Sequence, residues 1–342
     1  MIKLTTTVVI GGFFGDEGKG KIVSYLAMKD SVAATVRGGV GPNAGHTVIY
    51  QGKEFKLRMI PSGILNESSK LMIGPGVLVN PDVLIEEAKK YGLEERILVD
   101  PQCAVIEDKH ISQDNHGYLK SQIGTTGTGT GPANSDRVLR SGRLLNEIES
   151  VSRFLADIPL EVNRLVDEGK PVLVEGTQGT FLSLYFGTYP YVTSKDVCAS
   201  AICSDIGLGP KKVDEVLVVF KAYVTRVGSG QIKGELTEEE ASEHGWREIG
   251  TVTGRARRAA PFDMDLAKRA VMLNSASQIA ISKIDVVFPE VAGVTEFDKL
   301  SNDAKKFVEN IEASLEVPVV LIGTGGETFH TVDRRKELLA KN

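Results

Sequence analysis

Five short and almost uninterrupted apolar runs alternate along the chain with stretches of helical period. A strand that is apolar at nearly every position is covered on both faces, which is typical of a parallel sheet with helices on each side. The alternation therefore predicts an α/β fold with a largely parallel central β-sheet flanked by helices. The predicted strands are Thr6–Ile10, Val172–Val174, Val216–Phe220, Gln278–Ile281 and Val317–Ile322. The predicted helices are Ile22–Met28, Asp82–Tyr91, Leu144–Ala156, Leu160–Asp167, Asp263–Leu273 and Ser301–Leu315, with Asp263 and Ser301 as N-caps.

The composition argues against a nucleic-acid-binding or membrane-spanning protein. Hydrophobic residues make up 42% of the 342 residues, charged residues make up 25%, and the formal net charge is -5. This balance gives no general attraction to nucleic acid or membranes, and no run of about 18 apolar residues is present to cross a bilayer. The N-terminus lacks the apolar core of a signal peptide. We therefore expect one catalytic domain over residues 1–342 in the cytoplasm, whose Cys103, Cys198 and Cys203 are reduced thiols, with a Cys198–Cys203 bridge as the alternative.

The 36 glycines are concentrated in seven segments that lie at the ends of predicted strands or between elements. Open α/β sheets bind ligands at the carboxyl ends of their strands, and glycine allows the backbone to approach a ligand closely. Because these segments also carry threonine, asparagine, histidine and arginine, they predict a site for a large polar ligand such as a nucleotide. The segments are residues 11–21, 37–46, 124–132, 175–180, 226–234, 250–255 and 323–328.

The segment from Gly12 to Lys21 follows a predicted strand and leads into a predicted helix. Converging backbone N–H groups, a helix N-terminus and a lysine are the components of phosphate-binding loops. The segment is not a Walker A motif, because five residues separate Gly12 from Gly18 and Gly20 stands where Ser or Thr would hold magnesium. A carboxylate in such a loop, here Asp16, is costly unless it binds a metal or takes part in chemistry. On the motif alone, a functional loop and an ordinary structural loop are equally open.

The residues Ser282-Lys283-Ile284-Asp285 follow the predicted strand Gln278–Ile281. They resemble the element by which GTP-binding proteins recognise guanine, in which the aspartate accepts from two N–H groups of the base and the lysine stem lies over the ring. Adenine lacks those donors, so the unpaired aspartate would discriminate against it. A solvated turn is the alternative for so short a match, but the phosphate-binding segment on the same sheet favours GTP.

Two further segments carry candidate site residues. Arg255, Arg257 and Arg258 form the densest basic cluster, and arginine holds carboxylates and phosphates with two parallel hydrogen bonds. A solvated charge run is the alternative, although glycine, threonine and apolar neighbours favour a site loop. His46, one of five histidines, lies in a Gly-Asn segment, which makes it a candidate acid or base.

Taken together and in this order, the motifs resemble those of the adenylosuccinate synthetase family, in its compact branch. The resemblance runs from about Val8 to Thr328 and includes GDEGKGK, NAGHT, IPSGIL, IGTTGTGTGPA, EGTQGT, GTYPYVTS, LGP, KAYVTRVGSG, TGRAR and SKID. It implies a GTP-dependent ligase of purine biosynthesis that joins IMP to L-aspartate through 6-phosphoryl-IMP.

The resemblance also implies catalytic roles. Asp16 would take the N1 proton of IMP so that the 6-oxygen becomes nucleophilic, and His46 would support transfer of the γ-phosphate of GTP to that oxygen. The aspartate amine would then displace phosphate. Mg²⁺ would lie against Asp16 and the backbone carbonyl of Gly45. Arg140 would reach IMP in the partner subunit of a homodimer.

The binding residues implied by the resemblance fall into three groups. Those for GTP are Gly15, Glu17, Gly18, Lys19, Gly20, Lys21, Thr47, Arg257, Lys283, Ile284, Asp285, Gly323, Thr324 and Gly325. Those for IMP are Asp16, Lys19, Asn43, Ala44, Gly45, His46, Thr126, Arg140, Gln178, Thr193 and Arg255. Those for the substrate aspartate are Thr251, Val252, Thr253, Gly254, Arg255, Ala256 and Arg257.

The chain departs from the family pattern at several positions. Thr128 stands where many members carry arginine, Ser183–Phe186 replaces an acidic-histidine segment, and Gly323 replaces a serine. Two other functions remain open from the residues alone, a GTP-dependent switch and a different nucleotide-dependent amide or amine ligase. The switch leaves the segments TGRAR and GTYPYVTS without a role.

Overall fold

The structure is a computed structural model that describes residues 6–249, 254 and 256–338. The predicted site residues Thr251, Val252, Thr253 and Arg255 lie outside these residues.

Within the described residues, a nine-stranded sheet forms the centre of the molecule. Its strands are β1 (Thr6–Gly11), β2 (Ala34–Arg37), β5 (Lys70–Ile73), β7 (Ile97–Val99), β9 (Val172–Gly179), β10 (Glu215–Lys221), β14 (Gln278–Ser282), β15 (Val319–Gly323) and β16 (Thr331–Asp333). Their spatial order is β16-β15-β14-β10-β1-β9-β2-β5-β7, and neighbouring strands are parallel except for the edge strand β16, which runs antiparallel to β15. The predicted α/β class and the largely parallel sheet are confirmed.

Four strands of the nine-stranded sheet are almost entirely buried. In β9, β14 and β15 every residue is buried, and in β1 all but one are. The register places Val8 between Val216 and Val174, so apolar side chains stack across neighbouring strands. β9 continues five residues beyond the predicted Val172–Val174, through the polar residues up to Gly179.

Short sheets carry the remaining strands. β11 (Val224–Val227), β12 (Glu248–Ile249) and β13 (Ala256–Ala260) form an antiparallel sheet in the order β11-β13-β12. β3 (His46–Tyr50) pairs with β4 (Lys53–Leu57) as a hairpin, and β6 (Leu78–Val79) pairs with β8 (Ala104–Val105) in parallel.

The helices of the described residues cover the sheet and position the loops. They are α1 (Lys19–Lys29), α2 (Pro81–Tyr91), α3 (Asp108–Asp114), α4 (Thr130–Leu139), α5 (Ile158–Asp167), α6 (Ala199–Asp205), α7 (Glu238–Glu243), α8 (Met264–Asn274), α9 (Ile284–Val287), α10 (Asn302–Leu315) and α11 (Arg335–Leu338). The predicted N-caps are confirmed, because Asp263 accepts from Leu266 N–H and Ser301 accepts from Ala304 N–H. A π-helical turn spans Leu119–Ile123.

The predicted helix Leu144–Ala156 is wrong. The segment forms two 3₁₀ helices, Leu145–Glu147 and Glu149–Phe154. Its apolar residues Leu145, Ile148, Val151 and Phe154 recur every three positions, and that spacing matches the three residues per turn of a 3₁₀ helix rather than the 3.6 of an α-helix.

No helix of the described residues is long and apolar enough to cross a membrane. Cys103, Cys198 and Cys203 are buried free thiols in the structure, which has no Cys198–Cys203 bridge.

Because the central strands are parallel, their carboxyl ends meet at one edge of the sheet. At this edge the chain leaves β1 at Gly11, β2 at Arg37, β10 at Lys221, β14 at Ser282 and β15 at Gly323. Four of the glycine-rich segments begin at these strand ends or, for residues 175–180, within β9.

Candidate functional site

The loop between β1 and α1 is shaped by its own glutamate. The fully buried carboxylate of Glu17 accepts from the N–H groups of Phe13 and Gly15, each at 2.8 Å, and pairs with Lys19 at 3.0 Å. Gly15 and Gly18 have φ of 98° and 82°, in the left-handed region that favours glycine. The side chain predicted to bind GTP at Glu17 therefore faces the loop, which leaves only its backbone to contact a nucleotide.

Gly20 is the residue that most clearly separates this loop from a Walker A motif. A Cβ at position 20 would lie 2.9 Å from Cβ of His46 and 3.2 Å from Oγ of Ser62. The helix thus approaches the β3 segment so closely that a serine or threonine would not fit. The space that a Walker A hydroxyl would fill is taken by His46.

Lys21 joins α1 to the loop after β15. Its Nζ donates to the carbonyl oxygens of Gly325 and His330, both at 2.6 Å. Burial lowers the pKa of Lys21 to about 8, against Asp285, which raises it. The predicted GTP residues of the first loop and of Gly323–Gly325 are thereby brought together. The buried side chain of Thr324 donates to Val294, so only its backbone is left for a ligand.

Asp16 lies in a cluster of charged side chains at the carboxyl edge of the sheet. Its Oδ2 accepts from the hydroxyl of Thr225, and the same oxygen is 3.3 Å from Nε of Arg257 and 3.6 Å from Nζ of Lys221. The predicted residues Asp16 and Arg257 therefore meet, although they are distant in sequence. Thr225 and Lys221 were not among the predicted site residues; the signal in the sequence was a lysine that ends the apolar strand β10.

Glu248 completes this cluster and was also missed. It accepts from Lys221 at 2.8 Å, from Lys283 at 2.7 Å, and from Arg257 and the Tyr223 hydroxyl. Burial alone would raise the pKa of Glu248, but Lys221 and Lys283 hold it well below its usual range. No spacing rule connects a glutamate on the short strand β12 with these partners.

His46 is held by a buried glutamate. Its Nδ1 contacts Glu175, whose carboxylate also accepts from the N–H of Ser62 at 2.7 Å and from the Ser62 hydroxyl at 2.6 Å. Burial lowers the pKa of His46, against Glu175, which raises it. Burial would raise the pKa of Glu175, but His46 and Arg37 lower it to about 2. Glu175 was overlooked, although a charged residue inside the apolar run of β9 is a visible signal.

This pairing fixes the direction of the imidazole ring. Because Nδ1 is directed to Glu175, Nε2 is the nitrogen left for a ligand. Within the described part of the chain, Nε2 of His46 is buried and has no hydrogen-bond partner. A buried polar atom without a partner is costly, and a ligand can satisfy it.

The predicted guanine element, Ser282–Asp285, also contains a buried polar atom without a partner among the described residues. This atom is Oδ1 of Asp285. Lys283 has a left-handed φ of 57° and is the N-cap of α9. The hydroxyl of Ser282 donates to the carbonyl of Glu17 at 2.6 Å, which ties this element to the first loop. Ile284 is fully buried and holds α9 against the core.

A cavity of about 390 Å³ opens beside Asp16. Nδ2 of Asn43 donates to Oγ1 of Thr193 at 3.3 Å, and Thr126 bonds to Thr128 at 2.9 Å. Oδ1 of Asn43 and Nε2 of Gln178 are buried without a partner among residues 6–249, 254 and 256–338. The predicted residues that line this cavity are Gly15, Asp16, Asn43, Ala44, Gly45, Thr126, Gln178, Thr193 and Arg257.

Other predicted residues lie apart from the cavity. Arg140 is exposed and ends α4 with a φ of 63°, and Gly254 and Ala256 are also exposed. Thr47 lies in the β3–β4 hairpin. Lys19 and His46, the first residues of α1 and β3, are buried and do not line the cavity.

Ser183, one of the departures from the family pattern, holds a neighbouring segment in place. The buried Ser183 donates to Asp196 at 2.7 Å and accepts from Val197 N–H, while Tyr185 and Phe186 are exposed. This serine therefore supports the segment that carries Thr193.

Comparison with known proteins gives one consistent family. A family model described as adenylosuccinate synthetase matches residues 8–157 and 143–292. The chain is 52% identical to the adenylosuccinate synthetase of Methanocaldococcus jannaschii, covering 99% of each protein. It is also 52% identical to that of Archaeoglobus fulgidus, covering 97% of this chain and 99% of the relative.

Solved structures show the same fold. The fully ligated adenylosuccinate synthetase of Plasmodium falciparum is similar with a TM-score of 0.89 at 26% identity, over 96% of this chain and 99% of that one. The succinoaminodeoxyadenylate synthetase of cyanophage S-2L has the same fold, with a TM-score of 0.79 at 23% identity over 98% of this chain and 97% of that one.

Proposed function

The chain belongs to the adenylosuccinate synthetase family, and we propose that the site at the carboxyl edge of its sheet carries out the reaction of that family. The chain is a ligase of purine biosynthesis that uses GTP to join IMP to L-aspartate, giving adenylosuccinate, GDP and phosphate through 6-phosphoryl-IMP. The observation that carries the assignment of the site is the position of Asp16, whose carboxylate lines the cavity and is linked through Lys221 and Glu248 to Lys283 of the guanine-recognition element.

Asp16 is the proposed general base. Its Oδ2 is held by Thr225, Arg257 and Lys221, which fix the direction of the carboxylate. Removal of the N1 proton of IMP by Asp16 places negative charge on the 6-oxygen. That oxygen then attacks the γ-phosphorus of GTP, the bond to the bridging oxygen breaks, and GDP leaves.

Buried donors stabilise the charge that develops in this step. The unpartnered Nε2 of Gln178 lines the cavity that contains Asp16 and would donate to the 6-oxygen. Nε2 of His46, fixed by Glu175, would hold a proton at the transferred phosphoryl group, whose negative charge favours the protonated ring. Donors positioned before the reaction stabilise charge without reorganisation.

The second step uses the phosphorylated oxygen as a leaving group. The amine of the substrate aspartate attacks C6, a C–N bond forms, and the C–O bond breaks to release phosphate. Arg257, which lines the cavity and keeps its guanidinium close to Asp16, would hold a carboxylate of the aspartate or an anionic group of GTP.

The donor set fits Mg²⁺. Within the described residues no group of three His, Cys, Asp or Glu side chains could hold a metal by itself, but Asp16 and the backbone of Gly45 line the same cavity and offer hard oxygen ligands. Mg²⁺ commonly takes one or two protein oxygens and completes its shell with phosphates and water. When bound there, the ion would neutralise charge on the phosphates of GTP.

GTP is the proposed phosphate donor because of Asp285. Its buried, unpartnered Oδ1 can accept from guanine N–H groups and would remain unsatisfied with adenine. Gly323–Gly325 and Lys21 would complete this half of the site. Among the described GTP residues, Glu17 and Thr324 would contribute through the backbone only.

We also propose a homodimer in which Arg140 reaches the IMP of the partner subunit. Arg140 is exposed at the end of α4, beside the exposed apolar residues Val138 and Leu139, and apolar residues exposed together are suited to an interface. Residues 1–342 would form one catalytic domain, because the central sheet takes strands from both ends of the chain. The free thiols support a cytoplasmic location.

One assay tests the reaction. Purified protein is mixed with GTP, Mg²⁺, IMP and aspartate, each component is omitted in turn, and the absorbance of the succinylated purine is followed. We expect product only in the complete mixture, with one GDP and one phosphate released per product. GTP hydrolysis that does not depend on IMP and aspartate would instead indicate a switch, and product formed with another amine or nucleotide would indicate a different ligase.

A further inference from the structure

The carboxylate of Glu248 receives four side-chain donors from three parts of the chain. Oε1 accepts from Nζ of Lys283 at 2.7 Å and from the hydroxyl of Tyr223, and Oε2 accepts from Nζ of Lys221 at 2.8 Å and from a terminal nitrogen of Arg257. A carboxylate has about four lone-pair positions, so these donors fill them. The Glu248 side chain is 11% exposed, which protects the contacts from water and from salt.

The cations that meet at Glu248 belong to different halves of the proposed site. Lys283 is the lysine of the guanine-recognition element, Arg257 lines the cavity next to Asp16, and Lys221 lies 3.6 Å from the Asp16 carboxylate. Without Glu248, Lys221 and Arg257 would share the single carboxylate of Asp16, and the three cations would repel one another.

The backbone holds Glu248 at this point. β12 and β13 pair so that Glu248 lies opposite Arg257, and Tyr223 stacks on Trp246 with ring centroids 4.7 Å apart. The direction of each cation follows from this anchor. Arg257 bonds to Glu248 through a terminal nitrogen and also lines the cavity. The side chain of Lys283 is 44% exposed, but Glu248 holds its ammonium group, which limits the conformations of its methylene chain.

We propose that Glu248 is a positioning residue shared by the GTP and aspartate halves of the site. One carboxylate sets the location of Lys283 for guanine and of Arg257 for its anionic ligand, and it keeps Lys221 beside Asp16. The inference rests on the proposed roles of Asp16, Arg257 and Lys283. It assigns to Glu248 no contact with any substrate.

The test is steady-state kinetics of Glu248→Gln with each substrate varied in turn. Glutamine keeps the shape but offers one acceptor oxygen and turns an amide towards a cation. Each anchored side chain loses a charge-assisted hydrogen bond, so we expect KM for GTP and KM for aspartate each to rise about tenfold or more, with KM for IMP changed less than about threefold. The matched control is Glu235→Gln, which removes the partner of the neighbouring Arg258, 2.7 Å away at the surface, and should leave all three constants unchanged.

A double-mutant cycle separates positioning from general support of the fold. If Glu248 acts on GTP through Lys283, then in a Lys283→Met background the Glu248→Gln change should hardly raise KM for GTP further, yet should still raise KM for aspartate. Glu248→Asp keeps the charge but shortens the side chain, and it replaces Glu248→Gln in these measurements if the glutamine variant is unstable. It should show the same pattern with smaller changes.

Three results would overturn the inference. They are a fall in kcat or thermal stability of the Glu248 variants with unchanged KM values, an equal rise in KM for IMP, and full additivity of the Glu248 and Lys283 changes on KM for GTP. Fluorescence of Trp246, the single tryptophan, gives a reading without turnover, since GTP binding should change it in the wild type at lower GTP concentration than in Glu248→Gln. Absence of adenylosuccinate formation by the wild type and by Glu235→Gln would instead contradict the proposed function, so the two failures are distinguishable.

Discussion

Replacement of Glu175 by glutamine tests how the buried partner of His46 contributes to the fold. The Glu175 carboxylate accepts two hydrogen bonds from Ser62 and one from His46, and Arg37 adds a buried positive charge nearby. Burial alone would raise the pKa of Glu175, but these groups lower it from 4.5 to about 2. Glutamine keeps one acceptor oxygen but removes the charge that they stabilise.

The magnitude follows from the shift in pKa. A group whose folded pKa lies below its unfolded pKa stabilises the fold above the unfolded value and loses that contribution as the pH falls through the folded value. A shift from 4.5 to about 2 corresponds to about 3 kcal/mol of folding free energy at pH 7. The advantage of the wild type over Glu175→Gln should therefore decrease by about 1 kcal/mol at pH 4 and by about 2 kcal/mol at pH 3.

Urea unfolding at a series of pH values between about 7 and 3 measures this difference. The matched control is Glu87→Gln, because Glu87 is also buried and accepts from the N–H groups of Arg58, Met59 and Ile60, but burial raises its pKa. For Glu87 the sign is opposite, so the wild-type advantage should shrink as the pH rises above about 4.5. Equal pH dependence for the two variants, or a difference for Glu175→Gln that does not change with pH, would refute the reasoning.

Four further predictions concern turnover and substrate binding. Asp16→Asn should lower kcat by at least ~10²-fold, since it removes the base, and near-normal turnover would exclude that role. Asp285→Asn should raise KM for GTP steeply and leave KM for IMP nearly unchanged, with partial recovery on a xanthine nucleotide; an unchanged GTP requirement would mean that the SKID segment is only a turn. KM for GTP should rise as the pH passes the pKa of Lys21, about 8, because the lysine loses its charge above that value, and Lys21→Arg should remove this rise; an identical profile in the variant would contradict it. Co-expressed Arg140→Leu and Asp16→Asn chains should recover towards about a quarter of wild-type activity, since about half of the dimers are mixed and each has one complete site, and inactive mixed dimers would place Arg140 outside the partner's site.

The fold could be predicted from sequence where the pattern of apolar residues has a single period. The strand Gln278–Ile281 and the helices after Asp263 and Ser301 lie within a residue of their predicted bounds because burial and capping both act locally. Leu144–Ala156 failed because a spacing of three residues was interpreted as an α-helix. The predicted strand Val172–Val174 ended too early, because the polar residues of β9 up to Gly179 serve the site rather than the core.

The site could be predicted only as far as its motifs extend. Asp16, His46 and Asp285 were identified because each lies in a glycine-rich or guanine-type segment. Glu175, although it begins the glycine-rich segment 175–180, and Glu248 were not, because their partners His46 and Lys221 lie 129 and 27 residues away in the chain and meet them only in the fold. Such partnerships follow from the order of the strands, which sequence reasoning about single segments does not give.

The missed residues share a property that explains how an acidic protein can bind anionic substrates. Although the net charge is -5, two buried lysines of the site have a carboxylate within contact distance: Lys19 has Glu17, and Lys221 has both Asp16 and Glu248. The buried His46 likewise contacts Glu175, whereas Lys21 is held by backbone carbonyls. An isolated buried cation would be strongly destabilising or would lose its proton, so the carboxylates allow the charges to exist before any substrate arrives. They also fix where each donor is located, which lowers the entropic cost of binding GTP, IMP and aspartate in one arrangement. Substitution of a partner carboxylate should therefore weaken binding even though the new side chain repels the anionic substrate less, and this sign distinguishes positioning from simple electrostatic attraction.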